Sequence, residues 1–241
     1  MKTFSKKITV KYSDIDFSGN FSLKALMTYL QDIAGCHSSS VGYGYADIPN
    51  THVTWLVLDW KVQLLKQPDY NTELTISTWP RTLDKFYSYR DFEVYDANKN
   101  LIALASSKWL LYNTQEKRIA RVTEDIVKAF PLESKSAFDK PLNERPKEPS
   151  ESSLEFEYTI QRRDIDTNEH VNNLHYIDYA MEALPEEIYK SSQFTTVEIH
   201  YKKEIKYKDT IRCFYCFRNN KHVVTIKSKD GSVVHSIVKL Y

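Results

Sequence analysis

The amino-acid sequence predicts an α+β protein built from two similar units on one chain, each with a long helix against a curled antiparallel sheet. Two observations lead to this prediction. A strand, a polar turn, a helix and then a run of strands follow one another in both halves of the chain. The tripeptide Asp-Ile-Asp at 14–16 also returns at 164–166, 150 positions later and at the same place in this order.

The first half begins with alternating apolar and polar residues from Ile8 to Tyr12, the period-two pattern of a half-buried strand. Ser22 is placed to cap a helix after the polar turn. The helix has an apolar stripe at i, i+3, i+4 and i+7 spacing, formed by Leu23, Leu26, Met27, Leu30, Ile33, Ala34 and His37. Strand-like runs follow at 53–65, 73–79, 87–95 and 101–112, and a short helix at 124–130.

The second half repeats this plan after residues 131–153, which are rich in Pro, Lys, Glu and Ser and predict a linker. A strand is predicted at 154–161, and a helix at 173–184 with Asn172 placed to cap it. Further strand-like runs lie at 195–205, 210–218, 223–228 and 233–241.

A strand, a long helix and a run of antiparallel strands form the plan of a hotdog unit, in which a curled sheet wraps the helix. One unit leaves a sheet edge and part of its helix uncovered, so two units usually pair. Here both would belong to one chain. The prediction is a tandem double hotdog with units at 1–130 and 154–241 and a linker at 131–153.

Composition narrows the class of function. The 33 basic and 32 acidic residues leave a net charge of +1, which gives no global case for nucleic-acid binding. No stretch of 18 apolar residues occurs, and the first residues lack the apolar run of a secretion signal, so we expect a cytoplasmic protein without membrane insertion. Three cysteines are too few for a disulfide framework.

Asp166, Asn168 and His170 place an acid, an amide and an imidazole at alternating positions. In an extended segment these side chains would point to one face and could form a catalytic cleft. The positive end of the following helix would favour a negative charge developing there. An equally weighted alternative is an Asx-turn and helix-cap cluster, in which the side chains only satisfy backbone groups.

The first copy lacks this trio, because Ser18 and Asn20 stand where Asn168 and His170 do in the second. The Asp-x-Asp spacing matches the start of an EF-hand calcium loop, but the twelfth position, which needs Glu, is Ala25 in one copy and His175 in the other. We therefore expect no metal and no cofactor.

Two nucleophile classes are also unpromising. Cys213 and Cys216 form a lone CxxC within a strand-like run and fit small core residues better than a metal or redox site. The chain contains no GxSxG sequence, which excludes the esterases that use a nucleophile elbow.

Residues 166–177 resemble the signature of the acyl-acyl carrier protein thioesterases, D-x-N-x-H-V-N-N-x-x-Y. Other pieces agree in order with this family: Trp79-Pro80-Arg81, Tyr89-Arg90-Asp91-Phe92, Ser107-Lys108-Trp109 and Tyr201-Lys202-Lys203-Glu204. The family has two hotdog units in tandem, the first associated with acyl-chain selection and the second with catalysis. The resemblance thus implies the same tandem plan as the repeat.

The resemblance implies a catalytic set that falls on Asp166, Asn168, His170 and Glu204. Plant members carry a cysteine after this Glu, but here the residue is Ile205, so water attack on the thioester is expected. Either carboxylate could orient the water, or Asp166 could itself attack. His170 would assist proton transfer and Asn168 would hold the substrate or the oxyanion.

Further candidates for substrate contact are the start of the second helix, at Asn172 and Asn173, and Leu26, Met27 and Leu30 of the first helix, where an acyl pocket is expected. The implied substrate is a fatty acyl chain on the phosphopantetheine arm of acyl carrier protein. Because that carrier is acidic, we expect a basic surface near the site. Its candidate residues are Arg162, Arg163, Lys202, Lys203, Lys206 and Lys208. A monomer or a homodimer would suffice.

Three other functions fit the same pattern. An acyl-coenzyme A thioesterase would use the same chemistry on a different carrier. A catalytically silent hotdog protein would bind the acyl chain without hydrolysis. A hotdog dehydratase would place one His and one acid across a pocket, whereas the acids and His here crowd into the second unit.

Overall fold

The structure is a computed structural model that describes residues 2–139, 142, 146–191 and 193–241. The chain forms two compact units, 1–142 and 143–241. Each unit combines helices with an antiparallel sheet, so the predicted mixture of α and β structure is confirmed. No helix within these residues combines the length and the apolar character needed to cross a bilayer.

The first unit has its strands in the order β1-β3-β4-β5-β2, with every neighbouring pair antiparallel and β6 paired to β5. Its elements are β1 (Phe4–Thr9), α1 (Leu23–Ser40), α2 (Ile48–Thr51), β2 (Val53–Leu64), β3 (Glu73–Leu83), β4 (Tyr87–Asp96), β5 (Leu101–Asn113), β6 (Arg118–Ile119) and α3 (Glu124–Ala129). The predicted strands are confirmed, although β1 begins and ends earlier than the run from Ile8 to Tyr12.

Helix α1 supplies the core of the first unit. The Ser22 side chain accepts a hydrogen bond from the Ala25 amide at 3.1 Å, which confirms the predicted cap. All seven residues of the predicted apolar stripe are buried, and α1 contacts β1, β2 and β3. Burial of this stripe therefore holds the helix against the sheet.

Part of the predicted linker is bound to the first unit. The indole of Trp79 donates to the Lys135 carbonyl at 2.8 Å, and the Lys135 ammonium lies 2.6 Å from Glu93. The Ala137 amide donates to the carboxylate of Asp91, a residue that is 1% exposed. These bonds tie residues 135–137 to β3 and β4.

His37, near the end of α1, faces a buried cation. Its Nδ1 lies 2.9 Å from Nη1 of Arg90, which also donates to Thr78 at 3.2 Å. Because guanidinium can only donate, His37 Nδ1 must be the acceptor. Burial, and then the charge of Arg90, lower the pKa of His37 from 6.5 to about 4. The imidazole is therefore neutral at neutral pH.

We expect acid to destabilise the first unit through His37. In the unfolded chain His37 binds a proton below its ordinary pKa of 6.5, whereas in the folded chain it binds one only near pH 4. The free energy of unfolding therefore falls as the pH falls through this interval. His37→Gln retains an acceptor for Arg90 but does not titrate, so the variant should lose less stability between about pH 7 and about pH 5. Urea denaturation at the two pH values measures this, and equal losses in both proteins would contradict it.

The second unit has the strand order β7-β9-β10-β11-β8, again with antiparallel neighbours. Its elements are β7 (Ser153–Thr159), α4 (His175–Glu182), α5 (Glu186–Ser191), β8 (Thr196–Tyr201), β9 (Thr210–Arg218), β10 (Lys221–Ser228) and β11 (Val234–Leu240). Each strand has its equivalent at the same sheet position in the first unit, and α4 contacts β10 and β11.

The repeat extends to individual hydrogen bonds. The Val10 amide donates to the Thr72 carbonyl at 3.0 Å, and the Ile160 amide donates to the Asp209 carbonyl at 2.9 Å. Ser22 and Asn172 likewise donate their amides to the first Asp of each Asp-Ile-Asp tripeptide. The two units therefore fold the same backbone plan from sequences that differ at most positions.

Two predictions for the second unit need correction. The strand predicted at 195–205 ends at Tyr201, so Glu204 lies beyond it. The helix predicted at 173–184 covers only His175–Glu182 and is followed by α5, which was not predicted. Pro185 separates the two helices and leaves α5 with acidic residues in its first turn.

Candidate functional site

Asp164 holds the candidate site in shape and is not free for chemistry. Its Oδ2 accepts hydrogen bonds from the Gln161 amide at 2.7 Å and from the Tyr158 hydroxyl at 2.9 Å. The next residue, Ile165, forms an antiparallel bridge with Val171. This bridge closes the polar segment into a loop and fixes both of its ends.

The predicted extended segment from Asp166 to His170 is a tight turn. The Asp166 Oδ1 accepts from the Asn168 amide at 2.8 Å, and the Asp166 amide donates to the His170 carbonyl at 2.9 Å. Glu169 has φ of 63°, a left-handed conformation that its counterpart Gly19 adopts without a Cβ penalty. The predicted placement of these side chains on one face of an extended segment is therefore wrong, and Asp166 forms the Asx-turn of the alternative interpretation.

The turn nevertheless brings candidate residues from two segments together. His170 forms an isolated antiparallel bridge with Lys206, and the Val171 amide donates to the Ile205 carbonyl at 2.9 Å. Glu204 immediately precedes this contact. Asp166 and His170 are half-buried, whereas Asn168 and Glu204 are exposed. The structure thus places Asp166, His170 and Glu204 around one backbone crossing, with Asn168 at the exposed tip of the turn.

Tyr176 lies on the first turn of α4, and the charges of Glu204 and Asp166 affect its pKa. Its side chain is 3% exposed. Burial raises the pKa of Tyr176, and the charges of Glu204 and then Asp166 raise it further. The phenol therefore lies within the electrostatic reach of both acids. The sequence contained this residue in the signature-like segment, but nothing in its spacing indicated a role.

The start of α4 contains one backbone donor that no described protein group uses. The Asn172 side chain accepts from the Leu174 amide at 2.9 Å, and its carbonyl accepts from the His175 amide at 2.9 Å. Asn172 thus stabilises the turn before the helix. The predicted helix cap at Asn172 is wrong, because the N-cap of α4 is Leu174, which makes no side-chain capping bond. In the described part of the chain, the amide of Asn173 has no hydrogen-bond partner, which leaves it available to an external oxygen.

The first unit forms the same turn with different polar residues. The Asp16 Oδ1 accepts from the amides of Ser18 and Asn20 at 2.9 and 3.0 Å. Gln67 is the counterpart of Glu204. Gln67 stands five residues before Thr72, whose carbonyl accepts from the Val10 amide, and Glu204 stands five residues before Asp209, whose carbonyl accepts from the Ile160 amide. The Gln67 side chain accepts from the Phe21 amide at 3.1 Å. These groups serve the backbone, so the two copies have diverged in their polar residues.

The other candidates are placed as follows. Leu26, Met27 and Leu30 are buried in the core face of α1 in the first unit. Ile205, where plant relatives are expected to carry a cysteine, is fully buried. Burial raises the pKa of the Cys213 thiol to about 12, which makes it a poor nucleophile at neutral pH. Among the described residues no group of three His, Cys, Asp or Glu is arranged to hold a metal.

Basic side chains surround the turn within the second unit. All six of the predicted residues are exposed: Arg162, Arg163, Lys202, Lys203, Lys206 and Lys208. Three of them make local contacts. The Lys202 ammonium donates to the Pro146 carbonyl, Arg163 lies 3.9 Å from Asp164, and the Lys208 ammonium lies 5.4 Å from the centroid of the Tyr207 ring. Exposed cations therefore flank the backbone crossing in both segments, alongside the exposed acids Glu169, Glu204 and Asp209.

Two family models match the chain. The Acyl-ACP thioesterase N-terminal domain matches residues 1–130, and the Acyl-ACP thioesterase C-terminal domain matches residues 147–238.

Plant proteins are among the curated relatives. The oleoyl-acyl carrier protein thioesterase of Coriandrum sativum is 24% identical in an alignment of 229 positions that covers 87% of this chain. Oleoyl-acyl carrier protein thioesterase 2 of Arabidopsis thaliana is 24% identical in an alignment of 251 positions that covers 97% of this chain. The chain spans 61% of the length of the first and 68% of the second.

Solved structures share the fold. An acyl-ACP thioesterase from Bacteroides thetaiotaomicron superposes with a TM-score of 0.88 at 24% identity, covering 99% of this chain and 97% of that one. The 12:0-ACP thioesterase from Umbellularia californica gives 0.86 at 19% identity, with 100% and 96% covered. At such identities the likeness establishes the architecture and leaves the chemistry to be argued from the site.

Proposed function

Because the chain belongs to the acyl-acyl carrier protein thioesterase family, we propose that it hydrolyses fatty acyl-acyl carrier protein to free fatty acid and carrier protein. The observation that supports this most directly is the meeting of Asp166, His170 and Glu204 at one backbone crossing beside the start of α4. Two acids and an imidazole can orient a water molecule for attack on a thioester and transfer the protons that the reaction moves.

The proposed architecture is a tandem double hotdog. The shared strand order and the matching hydrogen bonds of the two units support it. Residues 1–130 would select the acyl chain, with Leu26, Met27 and Leu30 lining its pocket, residues 131–153 would connect the units, and residues 154–241 would carry out catalysis. The degenerate turn of the first unit and the acidic turn of the second support this division of labour.

In the proposed mechanism, Asp166 and Glu204 orient a water molecule for attack on the thioester carbonyl, with His170 positioned for proton transfer. As the new carbon–oxygen bond forms, His170 takes the proton that the water loses, and the product is a tetrahedral oxyanion. Collapse of this intermediate breaks the carbon–sulfur bond, and the departing sulfur takes a proton by way of His170. Direct attack by Asp166 is the alternative, but its Oδ1 is already engaged by the Asn168 amide.

The oxyanion is proposed to bind at the start of α4. The amide of Asn173 is the backbone donor there that no described protein group uses. Helix starts favour negative charge because their N–H groups and dipole point toward it. The Asn168 side chain, exposed at the tip of the turn, would add a second donor.

The basic surface is proposed to receive the acidic carrier protein. Replacing Lys203 and Lys206 with Glu should raise KM for acyl-acyl carrier protein about tenfold while changing kcat little, because these cations would attract the carrier and take no part in the chemistry. Steady-state kinetics at low salt measures this. Lys190→Glu is the control, since Lys190 is exposed on α5 and pairs with Glu186. Equal changes in KM for both variants would contradict the proposed surface.

A matched pair of substrates tests the function itself. The same acyl group is offered on acyl carrier protein and on coenzyme A, and kcat/KM is measured for each. The proposal expects the carrier-protein substrate to be preferred. Preference for coenzyme A would favour an acyl-coenzyme A thioesterase, and failure of the folded protein to hydrolyse either would favour a silent acyl-binding protein.

A further inference from the structure

Arg90 of β4 is a buried cation that contacts only neutral groups. The residue is 5% exposed. Its Nη1 donates to the neutral imidazole of His37 at 2.9 Å and to the Thr78 hydroxyl at 3.2 Å. Burial lowers the pKa of Arg90 to about 10, so the guanidinium is charged at neutral pH. A buried charge in a protein is usually paired with an opposite charge, because water no longer solvates it.

The described part of the chain provides no acid for Arg90. Asp91 follows it in sequence but points to the other face of β4 and lies 3.1 Å from Arg81. No carboxylate of these residues forms an ion pair with Arg90, and no acceptor of theirs bonds to its Nε or Nη2. A guanidinium carries N–H donors on all three nitrogens, so Arg90 keeps unused donors beside its unpaired charge.

The second unit fills the corresponding position without a cation. The strand registers place His222 of β10 where β4 has Arg90, since each lies two residues before the partner of the equivalent position on the preceding strand. The Nδ1 of His222 lies 2.9 Å from the Tyr215 hydroxyl, and burial lowers the pKa of His222, which leaves it neutral at neutral pH. The shared fold therefore does not require a charge at this position.

Apolar side chains continue from the guanidinium of Arg90. The ring of Phe130, at the end of α3, has its centroid 5.9 Å from the guanidinium carbon. Phe130 is buried together with Leu111 and Ile126, and we call these three residues the Phe130 cluster. Apolar residues that are only partly buried pack against it, among them Trp55. An unpaired cation thus borders an apolar surface that is incompletely covered.

We propose that Arg90 and the Phe130 cluster bind a fatty acid, with the carboxylate on the guanidinium and the chain against the apolar side chains. A carboxylate supplies the missing negative charge, and its two oxygens match the planar donors of a guanidinium. A neutral lipid lacks this charge, and a small anion leaves the apolar surface unused.

This site is separate from the proposed acyl pocket at Leu26, Met27 and Leu30. His37, the partner of Arg90, follows Leu30 by seven residues on α1, which is about 10 Å along a helix axis. The inference goes beyond the proposed hydrolysis, because the ligand is a free acid and no thioester takes part.

Octanoate and octanol test the proposal, since they differ only in the head group. Calorimetry should show that octanoate binds the protein about tenfold or more tightly than octanol, as expected of hydrogen bonds between charged groups. Arg90→Gln retains an amide donor for His37 and should abolish this preference. Arg118→Gln is the control, because it removes an exposed guanidinium that pairs with Glu116, and it should retain the preference. Equal affinities for the two ligands in the wild type, or an unchanged preference in Arg90→Gln, would overturn the proposal.

Acetate tests the apolar half of the site. It carries the same carboxylate without the chain and should bind at least about tenfold more weakly than octanoate, because it buries no apolar surface. Equal affinities for acetate and octanoate would overturn the assignment to a fatty acid.

A further measurement needs no variant. Octanoate labelled with ¹³C in its carboxyl group reports its own ionisation by its chemical shift when it is bound to the wild-type protein. Beside an unpaired guanidinium, the bound carboxyl should titrate at a lower pH than free octanoate. Titration at the same or a higher pH would place the carboxyl away from a cation and would overturn the proposal. Because no thioester is present, neither result depends on whether the proposed hydrolysis occurs.

Discussion

Asp166→Asn is expected to lower kcat for acyl-acyl carrier protein by about 10²- to 10⁴-fold, the range typical for loss of a positioned acid–base group. The amide retains an Oδ1 that can accept from the Asn168 amide, so the turn should survive while the negative charge is lost. Hydrolysis is measured by release of free fatty acid. Thermal unfolding of the variant verifies that the fold persists.

Asp16→Asn is the matched control for this prediction. Asp16 makes the same turn in the first unit, where its Oδ1 accepts from Ser18 and Asn20, but it has no acid or imidazole as partner. This variant should change kcat by less than about twofold, as expected of a residue outside the chemistry. Comparable losses in the two variants would mean that the turns matter only for folding, and that Asp166 is not catalytic.

Glu204→Gln is expected to lower kcat about 10²-fold or more, because the amide can neither accept a proton nor provide a negative charge. The substitution gives the second unit the residue type that the first has at Gln67, whose side chain accepts from a backbone amide. Glu204 is exposed, so the loss of its charge should cost little stability.

Glu169→Gln controls for the loss of one carboxylate from the same loop. Glu169 is exposed, follows Asn168 directly and has a left-handed backbone conformation. If Glu169→Gln has a normal kcat and Glu204→Gln a strongly reduced one, the loss of activity is due to the carboxylate at position 204. Full activity in Glu204→Gln would remove Glu204 from the site and leave Asp166 as the carboxylate that orients water.

The elements with strong apolar periodicity were predictable from sequence. Helix α1 buries the predicted stripe from Leu23 to His37, because seven residues at helical spacing lie on one side of the helix and that side packs against the sheet. The strands of both units also follow their alternating or continuous apolar runs. In these segments local pattern and tertiary packing agree.

The polar turn was misread because alternation of residue types does not fix the backbone. Asp166 folds the chain back through its own side chain, and the two-residue spacing to Asn168 reflects an Asx-turn and not a strand. Gly19 in the first copy was the available signal, since a glycine at that position favours the left-handed conformation that Glu169 adopts.

Contacts between residues distant in sequence account for the other differences between the predicted elements and the structure. Strand β8 ends at Tyr201 because the amides of Lys202 and Lys203 both donate to the His235 carbonyl, at 2.8 and 3.2 Å, and leave the ladder. The binding of Lys135 and Ala137 to the first unit depends on Glu93 and Asp91, two acids that a composition argument cannot connect to them. Such pairings emerge only from the folded chain.

The proposed thioesterase activity is tested most directly by measuring fatty acid release by the wild-type protein from a series of acyl-acyl carrier proteins that differ only in acyl-chain length. We predict hydrolysis with a clear maximum at one range of lengths, because a proposed chain-selecting unit accompanies the proposed catalytic one. Absence of hydrolysis across the whole series by correctly folded protein would contradict it and would leave the acid and imidazole cluster without its proposed reaction.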